Sequence, residues 1–314
     1  MKRLLLFVFV AMMGFVMVSC GSGKKAGTQK HRIGVLAPAV THGWVAAVAF
    51  YAEKRCMELN DQIEYKILTS SSGDEMTSQL DELLAWNADA IVAFPQWTGM
   101  DVPLGRAIKD GVKVVMFDIA IEADGVYLVS GDNESMGVGS AEYLIDKLGP
   151  DATVAVLEVP TSGSVSALRL KGFMDTMNAK APNMKLLKYA TKFTREDGLK
   201  DFADILTANP KIDGVFSMDD ETSIGVLQAI KEAGRTDIKV VTGGGGCKDY
   251  FKLMPQYQDI MVQSALYSPS MVMTAVDVAV DLANGKAREQ KIVIPTTIVD
   301  RTNYTEYLNE DSPY

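Results

Sequence analysis

From Arg32 onward, short β-rich runs alternate with amphipathic helical stretches, and this alternation limits the folds open to the chain more than any single motif does. Runs such as RIGVLA (Arg32–Ala37), AIVAF (Ala90–Phe94) and KVVMF (Lys113–Phe117) are rich in β-branched residues and lack a polar residue at every second position. Strands of that kind are covered on both faces, as when helices connect parallel strands. Between them the period changes to that of a helix. Val45, Val48, Ala52, Cys56 and Leu59 share one face of Gly43–Leu59, and Leu80, Leu83 and Leu84 point one way from Thr77–Trp86.

The pattern restarts in the second half. A helix over Glu134–Leu148 leads to a strand at Thr153–Leu157, and further strands are predicted near Leu186–Tyr189, Gly214–Ser217, Lys239–Thr242 and Met261–Ala265. Helices are predicted between them, with a long one over Pro269–Ala283 closing the series. At 314 residues the chain exceeds one ordinary core of roughly 100–200 residues. The predicted fold class is therefore α/β, with two similar doubly wound parallel-sheet lobes.

The first twenty residues stand apart. Lys2 and Arg3 precede an uncharged run, Leu4–Val18, that is apolar apart from Gly14. The run is short against the ~20 residues of a membrane-spanning helix, and its flanks suit a signal peptide. Met17-Val18-Ser19-Cys20 resembles the lipobox of bacterial lipoproteins, with Met17 in place of the usual Leu, which implies lipidation at Cys20. Residues 1–19 are thus expected to be a signal peptide. Residues 20–31 are expected to be a lipidated cysteine and a flexible tether, GSGKKAGTQK supplying most of it. GSGKK has neither a preceding strand nor the spacing of a phosphate-binding loop. Export places the folded part outside the cytoplasm, held to a bacterial membrane (in the periplasm or at the cell surface), and leaves little room for ATP or NAD chemistry.

Charge and composition exclude other classes. With 31 Lys+Arg against 40 Asp+Glu, the formal charge of −9 disfavours nucleic acid as a partner. Two histidines and three cysteines give no metal-ligand spacing and no disulfide framework, so neither metal nor cofactor is expected. Cys56 and Cys247 are expected to be separate thiols.

In open parallel sheets, ligands bind beyond the carboxyl ends of the strands. The residues at those positions are Thr41, His42 and Trp44, then Gln96 and Trp97, then Asp118. In the second half they are Ser162 and Ser164, Phe193, the acids Asp219, Asp220 and Glu221, the run Gly243–Gly246, and Tyr267 with Ser268. Aromatic faces cover the C–H side of a sugar ring, while charged planar groups hydrogen-bond hydroxyls, so the mixture suits a polyhydroxylated ligand. At the strand-to-helix junction one of the three acids should cap the helix, and Asp219, nearest the strand, is the ligand candidate. The glycines let backbone approach a ligand or hinge closely.

The order and spacing of these segments resemble the periplasmic sugar-binding proteins of the ribose-binding type, substrate-binding components of ABC importers related to the lactose-repressor core. The resemblance runs from about Arg32 to about Thr297. Its carriers are Ile33–Trp44, Asp89–Phe94, Val112–Asp118, Gly131–Ser135, Ser166–Phe173, Asp213–Thr222, Ile238–Gly243 and Ala265–Gly285. It implies a type I periplasmic binding protein fold, its lobes joined by a three-segment hinge with crossovers near Gly131, Ser264 and Val293. The expected lobes are residues 32–131 with 265–293, and 132–264 with 294–314. Gly131, Asp132, Asn133 and Ser264 are the expected hinge residues, Gly and Asn being tolerant of turn conformations.

Carried over position by position, the resemblance implies ligand contacts at His42, Trp44, Asp118, Arg169, Phe193, Asp219, Gly244 and Tyr267. Ile119 stands where ribose binders carry Arg, Gly244 where they carry Asp, and Leu266 where they carry Gln. These departures point away from ribose, toward another monosaccharide, a polyol or a sugar-like signal. The implied mechanism is closure of a monomeric clamp on its ligand, the closed form then docking ABC permease subunits. Two rivals remain. One is a sensor whose closed form meets a receptor kinase or chemoreceptor. The other is a secreted carbohydrate-active enzyme using Asp118 and Asp219 as a carboxylate pair, which lacks a GxSxG elbow.

Overall fold

The structure, a computed structural model, describes residues 30–39 and 43–314. The expected signal segment, the expected lipidation site Cys20 and the ligand candidate His42 lie outside the described residues.

Two six-stranded sheets form the framework. The first contains β1 (His31–Pro38), β2 (Ile63–Ser70), β3 (Ala90–Ala93), β4 (Lys113–Phe117), β5 (Tyr127–Gly131) and, much later in the chain, β11 (Lys291–Ile294), in the order β11-β5-β4-β3-β1-β2. The second contains β6 (Thr153–Glu158), β7 (Lys185–Ala190), β8 (Gly214–Phe216), β9 (Val240–Gly244), β10 (Met261–Ala265) and β12 (Ile298–Asp300), in the order β12-β10-β9-β8-β6-β7. All pairings are parallel except β10 with β12. The helices are α1 (Gly43–Glu58), α2 (Gly73–Ala85), α3 (Asp101–Lys109), α4 (Asn133–Leu148), α5 (Gly163–Lys180), α6 (Arg195–Ala208), α7 (Asp220–Glu232), α8 (Lys248–Leu253), α9 (Val272–Ala283) and α10 (Tyr304–Tyr307).

The lack of alternation in the strands is explained by cover on both faces. In the first lobe Ile33, Val35, Val92 and Val115 pack with α1 and α9, while Leu36, Ile91, Val114 and Met116 pack with α2 and α3. In the second lobe Val154, Val156 and Phe216 face α4 and α5, and Ala155, Val215 and Val241 face the side of α6 and α7. Cys56 and Cys247 are both buried and free. Burial pushes the Cys56 thiol up to about 12.

The chain passes between the sheets three times, from β5 to α4, from β10 to α9, and from β11 to β12. Strands β11 and β12 and helix α10 are absent from the sequence reading, which tied every strand to a following helix. These two strands are short edge strands with no helix between them.

The structure also changes the reason for a glycine at the first crossing. Gly131 closes β5 without a positive φ. A Cβ there would collide with the Tyr267 ring, so close packing rather than turn conformation demands it. Ser264, expected at a hinge, lies within β10, paired with Gly243 and Val299, and its hydroxyl donates to Asp220 Oδ2 at 2.8 Å. The chain leaves that sheet two residues later, at Leu266.

Candidate functional site

The carboxyl ends of both sheets face one cavity of about 680 Å³. Trp44, Asp118, Arg169, Phe193, Asp219, Gly244 and Tyr267 all line it, together with Gln96, Trp97, Ser162 and Ser164.

Trp44 lies in the first turn of α1, where it fills the head of the first lobe. Its ring stacks on Phe117 at 6.1 Å and meets Phe94 edge-on at 6.0 Å. Its Nε1 donates to the Tyr267 carbonyl at 2.8 Å, which fixes the indole plane. Ring pairs of this kind contribute roughly 0.5–1.5 kcal/mol beyond the area they bury. Phe94 follows β3 directly and Phe117 ends β4, and the two form the wall on which Trp44 rests.

Asp118 follows β4 with φ 66, a left-handed conformation that Asp and Asn adopt more readily than other side-chain-bearing residues. One oxygen, Oδ1, accepts from the Tyr267 hydroxyl. Burial pushes this carboxyl above its ordinary value, against the pull of that bond and of the Arg169 charge. The same hydroxyl accepts from Gly131 N at 3.3 Å and from Asn133 Nδ2 at 3.2 Å. Asn133 in turn accepts through Oδ1 from Arg169 Nε at 2.8 Å, and Arg169 Nη1 donates to the Met218 carbonyl at 2.8 Å. The guanidinium lies 4.9 Å from the Tyr267 ring centroid and 5.8 Å from that of Phe193. A continuous polar chain thus runs from Asp118 in the first lobe, through Tyr267 and Asn133 at the crossings, to Arg169 in the second. Asn133, expected only as a hinge residue, holds the arginine in place.

The three acids after β8 divide the work differently from the sequence reading. Asp219, the ligand candidate, is itself the cap of α7, accepting through Oδ1 from Thr222 N at 2.8 Å and Thr222 Oγ1 at 3.0 Å. It nevertheless lines the cavity. Burial is the main cause that raises its carboxyl to about 6, with the nearby Glu221 charge adding to it. Asp220 turns inward, completely buried, and its Oδ2 accepts from Gly246 N, Cys247 N and Ser264 Oγ, each at 2.8 Å. It pins the glycine-rich loop to the sheet. Its Oδ1 is buried without a partner among the described residues, and burial raises the group to about 7. Glu221, its side chain only 13% exposed, pairs with Arg195.

Sequence reasoning missed Tyr314, which lines the cavity and is 3% exposed. No local pattern marks it. The only hint is indirect: four consecutive glycines, Gly243–Gly246, leave a volume that a side chain from elsewhere has to fill.

Two α/β lobes with parallel-sheet cores, facing each other across a cleft lined by their strand ends, have the architecture of the type I periplasmic binding proteins. A periplasmic binding protein domain matches residues 33–287, and the chain belongs to that family. The xylitol-binding protein of Mycolicibacterium smegmatis is 30% identical over 247 residues, 75% of this chain and 68% of its own length. The ribose import binding protein of Bacillus subtilis is 29% identical over 249 residues, 78% of this chain and 77% of its own. An ABC transporter periplasmic solute binding protein from Actinobacillus succinogenes, solved with bound D-allose, superposes with a TM-score of 0.79. It is 21% identical across 88% of this chain and 100% of its own, a likeness of fold.

Proposed function

We propose that the protein is an extracytoplasmic lipoprotein that captures a monosaccharide or polyol between its lobes and delivers it, chemically unaltered, to an ABC importer. The observation that carries this reading is the lining of the cleft. Flat rings from Trp44, Phe193 and Tyr267 share one cavity with the acids Asp118 and Asp219 and the arginine Arg169, drawn from opposite lobes. Rings cover the apolar face of a sugar, while Asp118, Asp219 and Arg169 direct acceptors and donors at its hydroxyls. Relatives named for xylitol and ribose, and a neighbour holding D-allose, support the same ligand class. Ile119, Gly244 and Leu266 favour a ligand other than ribose.

Binding without turnover fits how the acids are used. Asp118 engages the Tyr267 hydroxyl and Asp219 caps a helix, so each carboxylate spends one oxygen on holding the fold. The lobes swing about the crossing at Gly131–Asn133 and its two companions, and ligand that touches both lobes shifts the population to the closed form. A lipid at Cys20 and the tether leading to β1, which begins at His31, keep the clamp near the permease.

The test is a thermal-shift and calorimetric screen of monosaccharides, polyols and inositols, with the bound compound recovered and identified. One compound that binds tightly and returns intact is the expected result; at a hundred times its dissociation constant it adds about 2.7 kcal/mol to stability. Failure of the whole panel, or recovery of a cleaved or oxidised product, overturns the proposal.

A further inference from the structure

The segment after α10 turns back along the second lobe and is fastened at several points. Lys248 Nζ donates to the carbonyls of Ser312 at 2.6 Å and Glu310 at 3.2 Å, and Lys252 pairs with the Glu310 carboxylate at 2.6 Å. Asn309 Nδ2 reaches the first lobe, donating to Tyr51 Oη on α1 at 3.0 Å. Tyr314 N donates to Ser312 Oγ at 3.2 Å. These contacts seat the Tyr314 ring between the lobes, one edge toward Gly43 at the head of α1 and the hydroxyl over Gly245. A Cβ at Gly245 would collide with that hydroxyl, and the residue has φ 132, so glycine is required there on both counts.

The hydroxyl has no hydrogen-bond partner among the described residues, although it is buried. A buried O–H in that state costs about 1–3 kcal/mol, a cost removed once a partner arrives. The ring borders the cavity beside Asp219, Gly244 and Gly245. The glycine loop presents no side chain to this corner, and among the described residues Tyr314 and Asp219 bring polar side-chain atoms to it.

We infer that Tyr314 is a ligand-contacting residue that sets specificity: its hydroxyl hydrogen-bonds a hydroxyl group of the polyol or sugar in the closed cleft. The inference rests on the reading of the cleft as a sugar or polyol site. It predicts discrimination against analogues deoxygenated at the position facing the glycine loop, because such a ligand leaves the phenol unpaired.

The test compares wild type with Tyr314→Phe, which keeps the ring and deletes the oxygen. Both are titrated calorimetrically with D-ribose, D-allose, xylitol and myo-inositol, and both are melted without ligand. The expected result is an unliganded melting temperature equal to or above wild type, since the deleted oxygen had no partner. Affinity for the compound that wild type binds best falls about tenfold, as for one neutral hydrogen bond. Equal affinity in the two proteins overturns the inference while leaving the cleft reading intact. A fall in the unliganded melting temperature also overturns it, assigning the hydroxyl to the fold. A wild type that binds none of the four overturns the cleft reading and this inference together.

Discussion

On the first lobe the strand ends carry rings: Trp44 stacks on Phe117 and meets Phe94, and the acid Asp118 is tied to a tyrosine. On the second lobe they carry acids and glycines: Asp219 and Asp220 are buried at the head of α7, next to a loop whose backbone N–H groups converge on a carboxylate. The two sheets share a strand order, so the contrast is one of side chains on a common frame. One wall gets its shape chiefly from ring packing, with Asp118 as its buried carboxyl. The other gets it from buried polar groups, whose protonation changes what they can accept.

Four experiments press on that contrast. The largest effect is expected from Asp220→Ala, which strips three donors, two of them buried, of their acceptor and frees the glycine loop. Chemical denaturation should register a loss of roughly 4 kcal/mol, since each orphaned donor costs about 1–3. Asp220→Asn keeps an acceptor oxygen and should lose far less; if the alanine variant is no worse than the asparagine variant, the pinning role of Asp220 is wrong.

On the aromatic side, Trp44→Ala should cost about 3 kcal/mol in stability and abolish ligand-induced thermal shift. An undiminished shift would sink the pairing of ring wall and ligand.

The third experiment is a pH series. The folded-state values of Asp219 and Asp220 lie above the ordinary value of 3.8, at about 6 and about 7. The native state therefore holds more protons than the unfolded chain in this window, and the stability these groups contribute is lost as pH rises from about 4 through 7. A decline of a few kcal/mol between pH 5 and 8 is expected in unliganded protein, much reduced in an Asp219→Asn, Asp220→Asn double variant, where the buried Asp118 supplies the remaining slope. Asp237, held far below its ordinary value by Arg235, is ionised throughout that window and adds no slope. A flat profile in wild type removes the claim that the second wall is pH-sensitive.

The smallest effect is expected from Tyr267→Phe, which cuts the polar chain at its midpoint and leaves Asp118 without its donor. About 1–2 kcal/mol should be lost, with Arg169 retaining its bonds to Asn133 and Met218. A change confined to ligand affinity would show instead that the chain does not support the unliganded fold.

The sequence carries the frame well because parallel strands advertise themselves. RIGVLA, AIVAF and KVVMF read as strands covered on both sides, and rings and acids stand where those strands end. It carries the division of labour poorly. Asp219, Asp220 and Glu221 are three acids in a row, and only the direction each side chain takes from the first turn of α7 makes one a cap, one a buried clasp and one an ion-pair partner for Arg195. Gly131 reads as a turn residue, yet its need arises from Tyr267, 136 positions away. Tyr314 reaches the cleft only through fastenings to Lys248, Lys252 and Tyr51, contacts of long sequence separation that no local pattern encodes.

The threefold passage between sheets also bears on biosynthesis. Strands β1 to β5 leave the ribosome early, but the helix that shields their Ile33, Val35, Val92 and Val115 face, α9, begins at Val272, and their last neighbour, β11, ends at Ile294. Until then half of that layer has no roof and one border strand is missing. The nascent polypeptide is thereby kept from early collapse into a finished half.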